Sequence, residues 1–211
     1  MSKGFFITIE GIEGAGKSTA IESVIQVLEK NGTHPVLTRE PGGTPMAEDI
    51  RGILLANRSE EVSEKSELLL MYASRAQLIQ EVILPSLNKG LHVVSDRFND
   101  ATFAYQGGGR KISLPFIEQI DRFVMQDLKP DLTILLDLPV EIGMQRAGQR
   151  GDKDRIEQEQ YHFFEDVRNM YLKRAQAEPD RFLIIDATQS KHRVKSEVLK
   201  SIETLIHNKD N

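Results

Sequence analysis

Eight residues near the N-terminus, Gly11-Ile12-Glu13-Gly14-Ala15-Gly16-Lys17-Ser18, fit the spacing G-x-x-x-x-G-K-[ST]. Glycines at that spacing let successive backbone N–H groups turn inward around an anion. A helix starting at the lysine adds the positive end of its dipole. Lys17 is then placed for the β and γ phosphates of a nucleoside triphosphate, and the Ser18 hydroxyl for a magnesium ion. Thr19 follows at the first turn of that helix. Such a loop needs a strand before it and a helix after it. Residues 5–10 (FFITIE) read as a buried strand, and residues 19–30 as an amphipathic helix stopped by Asn31-Gly32.

A second set of charges stands at the ends of two other predicted strands. Arg39 closes 35–40 (PVLTRE), and Arg97 closes 92–97 (HVVSDR). Arg51 lies on the next helix, 45–56, beyond the loop PGGT. Ligands of open α/β sheets bind at the carboxyl ends of the strands. Three arginines there, in a chain of net charge −5, point to a second anion site facing the triphosphate. Asp96 ends its strand where a carboxylate holds magnesium; Asp137, ending LTILLD, is the competing position. A phosphate monoester is already largely dianionic near neutral pH, its second pKa being ~6. Such an acceptor can attack without a general base. A hydroxyl acceptor would need a carboxylate in reach, for which Glu10, Glu13 and Asp96 are candidates.

Two further segments fit a two-substrate phosphotransferase. Arg146, Arg150 and Arg155 fall within a polar, glycine-containing stretch, about 146–157, suited to an arginine-bearing lid over a transferring phosphoryl group. On the long helical pattern 63–87, broken or kinked near Pro85, Glu67, Met71 and Arg75 form one i,i+4 row, with Leu68, Leu69 and Leu78 on the core side. Met71 and Arg75 can give one ligand an apolar surface and a forked donor. In TFAYQGGGR (102–110), Tyr105 offers a flat face and Gln106 a donor and an acceptor for a pyrimidine edge. Three successive glycines imply a sharp turn or a close backbone approach.

The elements that must hold these residues alternate. Strands at 132–137 and 182–186, helices at 139–147 and 157–177, and a last amphipathic helix complete the pattern. Alternation of this kind predicts an α/β fold with a parallel sheet covered by helices on both faces, its strands apolar on both sides. The 211 residues suit one domain over 1–211, with a small lid. There is no cysteine, which excludes thiol catalysis and disulfides and permits a reducing cytoplasm. The acidic balance disfavours a polynucleotide partner. The N-terminus does not read as a signal peptide, and no apolar stretch approaches the ~20 residues of a membrane span. No guanine-reading N-K-x-D tetrad is present, which argues against a GTP-dependent switch.

Taken in order, IEGIEGAGKS, TREPGGT, the helix ending MYASR, SDRF, AYQGGGR, PDLTILLD, RGDKDRIE and DAT resemble the bacterial thymidylate kinase family over nearly the whole chain. The resemblance implies a P-loop NTPase fold of the nucleoside monophosphate kinase type, with a five-stranded parallel sheet, a lid and a homodimer. It implies transfer of the γ-phosphoryl of ATP to dTMP in dTTP synthesis, with Mg2+. Lys17 and Ser18 then serve the ATP phosphates and magnesium. Arg97, Arg39 and Arg51 surround the dTMP phosphate. Arg75 and Gln106 meet the thymine edge with Thr102 nearby, Glu10 lies at the substrate side, and Tyr105 sits beside the deoxyribose, disfavouring a 2′-hydroxyl. The phosphate-binding loop carries Glu13 and no arginine, as in the members whose catalytic arginine is in the lid. On that pattern Arg150 stabilises the transferring phosphoryl, Arg146 lies near adenine, and Glu13 faces the acceptor sugar. Where many members stack a phenylalanine on thymine this chain has Met71, with Tyr72 as a possible compensating ring. The alternatives are a deoxynucleoside kinase acting on a sugar hydroxyl, and a non-enzymatic nucleotide switch.

Overall fold

A computed structural model describes residues 4–148 and 154–210. Five strands, β1 (Phe6–Glu10), β2 (Val36–Arg39), β3 (Val93–Asp96), β4 (Leu132–Asp137) and β5 (Phe182–Asp186), form one parallel sheet in the order β2-β3-β1-β4-β5. Thus β1, which feeds the glycine loop, is central, and Ile9 pairs in register with Asp96. The crossover from β1 to β2 skips β3, so a crevice opens at the carboxyl ends beside β1.

Alternate residues of the central strands enter different cores. Ile7, Ile9 and Val94 join the larger cluster with Val24 and Leu28 of α1 (Lys17–Lys30) and Val198 and Ile202 of α9 (Lys191–Asp210). Phe6 and Val93 enter a second cluster with Leu78, Ile83 and Leu87. The sheet is therefore covered on both faces. The expectation of strands apolar on both sides holds for β1, β3 and β4 but fails at the edges. On β2 Leu37 is 55% exposed and on β5 Ile184 is 46% exposed, since an edge strand has only one sheet neighbour and thinner helical cover.

The helices refine the sequence reading. Helix α1 starts at Lys17, directly after Gly16 (φ 94°), two residues before the apolar pattern sets in. Helix α2 (Pro45–Leu55) is capped by the Thr44 hydroxyl, which accepts from Ala47 N–H, with Pro45 at its first turn. The long helix is α3 (Glu64–Leu78), a π-helical turn over Ile79–Ile83, then α4 (Leu84–Asn88). The widened turn comes just before Pro85, whose ring cannot donate to the ladder. Leu69, expected toward the core, is exposed; Leu68 and Leu78 are buried.

The glycine segment after α5 (Asn99–Thr102) is a π-helical turn over Phe103–Gly109, not a sharp bend. The close-approach reading does hold. A Cβ on Gly108 would run into the backbone of Asp166, and one on Gly109 into the Phe163 ring. Helix α6 (Leu114–Met125) has no counterpart in the sequence reading, although Pro115 in its first turn and the apolar positions 117, 120 and 124 mark it. Helix α7 (Val140–Ala147) follows β4, and α8 (Tyr161–Ala177) begins at Tyr161, four residues after the expected start, with turns over 155–158.

Candidate active site

The glycine loop is wound as its residue types demand. Gly11, Gly14 and Gly16 have φ of 141°, 74° and 94°, and a Cβ on Gly14 would strike the Gly143 backbone of α7. Lys17 Nζ donates to the carbonyls of Gly11 (3.2 Å) and Ile12 (3.3 Å). Burial pushes its ammonium down to about 8, and the nearby Arg97 adds to this; Asp96, Glu13 and Glu10 oppose the shift. A polyphosphate drawn to this loop would reverse the shift by supplying negative charge.

On one side of the loop lies a cleft lined by Gly14, Gly16, Thr19, Arg146, Gln189 and Lys191, among others. The α7 residue Arg146 donates to the Ala187 carbonyl at 3.0 Å, so it spans the cleft between α7 and the segment after β5. On another side Ser18 and Asp96 line a shared cleft. One carboxylate oxygen of Asp96 is buried with no hydrogen-bond partner among the described residues. Asp137, the competing position, is spent on Arg168 through two hydrogen bonds of 2.7 and 2.8 Å. The donor set therefore suits a divalent cation at Ser18 and Asp96, and no group of three or more His, Asp or Glu among the described residues offers another site.

A third cavity opens beside the loop, with Glu13, Arg51, Met71, Arg97, Tyr105 and Gln106 in its wall. Arg97 dominates it. Its backbone is left-handed (φ 67°), unusual for a side chain with Cβ. That turn is held by Arg97 N–H to Ile9 carbonyl (3.0 Å), by the Ser95 hydroxyl donating to Arg97 carbonyl (2.6 Å) and by Phe98 N–H to Glu10 (2.7 Å). The guanidinium then reaches back over the sheet end, donating to Glu13 (2.7 Å), Tyr105 hydroxyl (2.9 Å) and Gly11 carbonyl (3.3 Å). Burial pushes the Tyr105 hydroxyl well up, so it stays protonated and donates to both Glu13 oxygens, at 2.8 and 2.9 Å. Arg51 donates to the Pro41 carbonyl at 3.0 Å, after the cis Glu40–Pro41 bond.

Beneath this wall lies a fully buried ion pair. Arg75 donates to Glu40 through Nε (2.9 and 3.0 Å) and Nη2 (2.6 Å), and Nη2 also reaches the Thr102 hydroxyl (2.8 Å). Burial works against the Arg75 cation, but the charge and hydrogen bonds of Glu40 outweigh it and hold the guanidinium above its ordinary range. Its remaining nitrogen, Nη1, has no partner among the described residues.

The structure brings together most of the expected residues and moves others. Glu13, Arg51, Met71, Arg97, Tyr105 and Gln106 share one cavity. Arg39 does not; it makes an exposed bidentate pair with Glu48 (2.8 and 3.2 Å) and lines the Ser18–Asp96 cleft. Its guanidinium is turned to Glu48 of α2 instead. Glu10, expected on the substrate side, does not line the cavity either. It is fully buried, accepting from Phe98 N–H and the Tyr171 hydroxyl (2.8 Å). Burial, with Asp100 nearby, pushes its carboxyl up to about 8, so it is no free base facing substrate. Thr102 serves Arg75 and is wholly buried. Tyr72 cannot replace the ring that Met71 lacks: its hydroxyl is tied to Asp121 (3.1 Å) in another cluster, and Arg75 stacks on it at 5.0 Å. Arg150 lies outside the described residues.

Three residues of weight escaped the sequence reading as site residues: Glu40, Arg110 and, in its actual role, Glu67. Glu67 is buried and accepts from Gln106 (2.8 Å), Arg110 (3.2 Å) and Arg155 (2.7 Å). The available signal was a carboxylate on the same helical stripe as Met71 and Arg75, where burial demands cationic partners.

With this geometry in hand, the comparisons with known proteins are decisive. The thymidylate kinase family model matches residues 9–198. This chain belongs to the thymidylate kinase family. Members are nucleoside monophosphate kinases, hence phosphotransferases. A thymidylate kinase of Hahella chejuensis is 50% identical over 202 residues, 96% of this chain and 97% of that protein. One from Pseudomonas fluorescens is 53% identical over 205 residues, 97% of this chain and 96% of the relative. The crystal structure of thymidylate kinase from Ehrlichia chaffeensis superposes with a TM-score of 0.77 at 31% identity, covering 95% of this chain and 99% of that one. The five-stranded parallel sheet is thus the P-loop nucleoside monophosphate kinase fold of the family.

Proposed function

We propose that the chain transfers the γ-phosphoryl group of ATP to dTMP, giving dTDP and ADP for dTTP synthesis. One observation carries this reading. Arg97 stands between the glycine loop and the neighbouring cavity, with donors toward Gly11 and Glu13 at once. A cation there can offset the repulsion of two phosphates that meet end to end. The ATP phosphates belong on the glycine loop with Lys17, and the adenine side in the cleft of Arg146. The dTMP phosphate belongs with Arg97 and Arg51, the sugar beside Tyr105 and Glu13, and the base against Met71 and Gln106. Mg2+ would be held by Ser18 and Asp96, and supplies charge neutralisation of the ATP phosphates when bound. Because the acceptor is a dianion, no residue need take a proton from it.

The family resemblance adds Arg150 as the lid arginine that stabilises the transferring group, and a homodimer in the cytoplasm. A dimer is supported by apolar side chains exposed on neighbouring helices: Leu69 on α3, and Phe116 and Phe123 on α6, the last 82% exposed. No helix among the described residues is long and apolar enough to cross a membrane. The deciding experiment is ADP release with dTMP against thymidine. Turnover is expected with the monophosphate only, and equal turnover of thymidine overturns the reading.

A further inference from the structure

Gln106 is the one amide in the acceptor cavity wall among the described residues, and an amide has two nearly isosteric ends of opposite hydrogen-bonding sense. Which end faces the ligand decides which bases fit. The structure shows what makes that choice. Gln106 Nε2 donates to Glu67 at 2.8 Å, while its Oε1 is buried with no partner among the described residues. A carboxylate accepts only, so it commits the NH2 end. Glu67 stays ionised where it is: burial pushes its carboxyl up, but Arg110, Gln106 and Arg155 together outweigh that and hold it below the ordinary range.

We propose that Glu67 fixes the polarity of the Gln106 amide, and thereby selects an acceptor base with a ring N–H beside a carbonyl. This rests on the dTMP-kinase reading above and names the residue behind its base selectivity. The Gln106 carbonyl, left facing the ligand, requires a donor. The guanidinium of Arg75, which can only donate and has Nη1 unpartnered among the described residues, requires a carbonyl. Thymine and uracil present that order, N3–H beside O4. Cytosine presents its reverse, a ring acceptor beside an amino group, and mispairs at both contacts. Glu67 therefore acts through Gln106 as a positioning residue.

The two sides of Glu67 are unequal, which makes the idea testable. Oε2 takes the short bond from Arg155 (2.7 Å) and one from Arg110 (3.2 Å), while Oε1 takes Gln106 and the other Arg110 bond (3.2 Å). In Glu67→Gln the new carbonyl belongs on the doubly cationic Oε2 side. Its NH2 then faces Gln106, which must turn over and show its own NH2 to the base. The full-length enzyme is assayed for kcat/KM with dTMP and dCMP. Wild type is expected to prefer dTMP; a wild type inactive on dTMP sinks the parent reading, independently of any variant. In Glu67→Gln the dTMP/dCMP ratio should fall by about 10- to 100-fold, the range for one mispaired buried hydrogen bond. It should do so mainly through KM, with dCMP improving in absolute terms. Gln106→Met should lose dTMP preference without that gain. A folded Glu67→Gln enzyme, by circular dichroism, with the wild-type ratio overturns the proposal. Should the variant fail to fold, side-chain NMR of the dTMP-bound wild type decides. Contacts of the Gln106 NH2 protons with Glu67 support it, and contacts with the base overturn it.

Discussion

Around the glycine loop the chain offers backbone turned by three glycines at positive φ, with Lys17 and the polar side chains Arg146, Gln189 and Lys191 beside it. Around the acceptor cavity it offers buried side chains locked to one another across α3, the strand ends and the π-helical turn, through Arg75–Glu40 and Glu67–Gln106–Arg110. The first arrangement fits any polyphosphate that matches its curvature. The second discriminates, because each buried polar group left unpaired by a wrong ligand is costly. On the proposed function, the donor half is built for charge and the acceptor half for identity.

Four measurements would break or sharpen that contrast. The largest effect is expected at Lys17. Lys17→Ala should lower kcat by about 10³–10⁵, the scale of losing a cation on the transferring phosphoryl, with little change in dTMP affinity. A comparable loss of dTMP affinity would merge the two halves. Next is Arg75→Met, which strands Glu40 as an uncompensated buried charge. Unfolding in urea should show a loss of about 3–5 kcal/mol, and the dTMP KM should rise. A variant as stable as wild type would show that Glu40 takes up a proton at no cost.

Third, the donor half should respond to pH. Lys17 sits near 8 without nucleotide, below its ordinary 10.5. Phosphate binding favours the charged form, so above about pH 8 binding must take up a proton. The Kd for ATP should be flat below that pH and rise above it, up to about tenfold per unit. Calorimetry in buffers of differing ionisation heat reads the proton uptake directly, and its absence at pH 9 overturns the assignment. The smallest effect is expected at Arg39, an exposed pair with Glu48. Arg39→Ala should cost about 0–1 kcal/mol in stability and leave the dTMP KM within a few-fold. A large KM change would return Arg39 to the acceptor phosphate.

The same contrast explains what was legible in the sequence. The donor half is local: loop, lysine and first helical turn are contiguous, so Gly11–Ser18 declared it outright. The five strands were also readable, since buried parallel strands are short apolar runs. The acceptor half is assembled across long sequence separations. Arg75, Gln106 and the place of Glu67 on the same helical row were found by residue type and spacing, but the pairings Arg75–Glu40 and Glu67–Gln106 were not, because nothing local says which distant group a buried carboxylate will meet. Arg39 and Glu10 do not line the acceptor cavity, for the complementary reason. Position at a strand's carboxyl end does not say whether the side chain points into the crevice, outward at a sheet edge, or down into the core. The π-helical turns at Ile79–Ile83 and Phe103–Gly109 have no periodic signature of their own.

The left-handed backbone at Arg97 sets stability and activity against each other at a single position. Glycine would adopt that conformation freely, whereas a residue with Cβ loses on the order of 1–2 kcal/mol there. The chain keeps a cation in a conformation that favours the smallest residue. Glycine at position 97 would relieve that backbone but strand Glu13 without its cation and, on the proposed function, remove the charge that stands between the two phosphates, so the strain is retained together with the pair it positions.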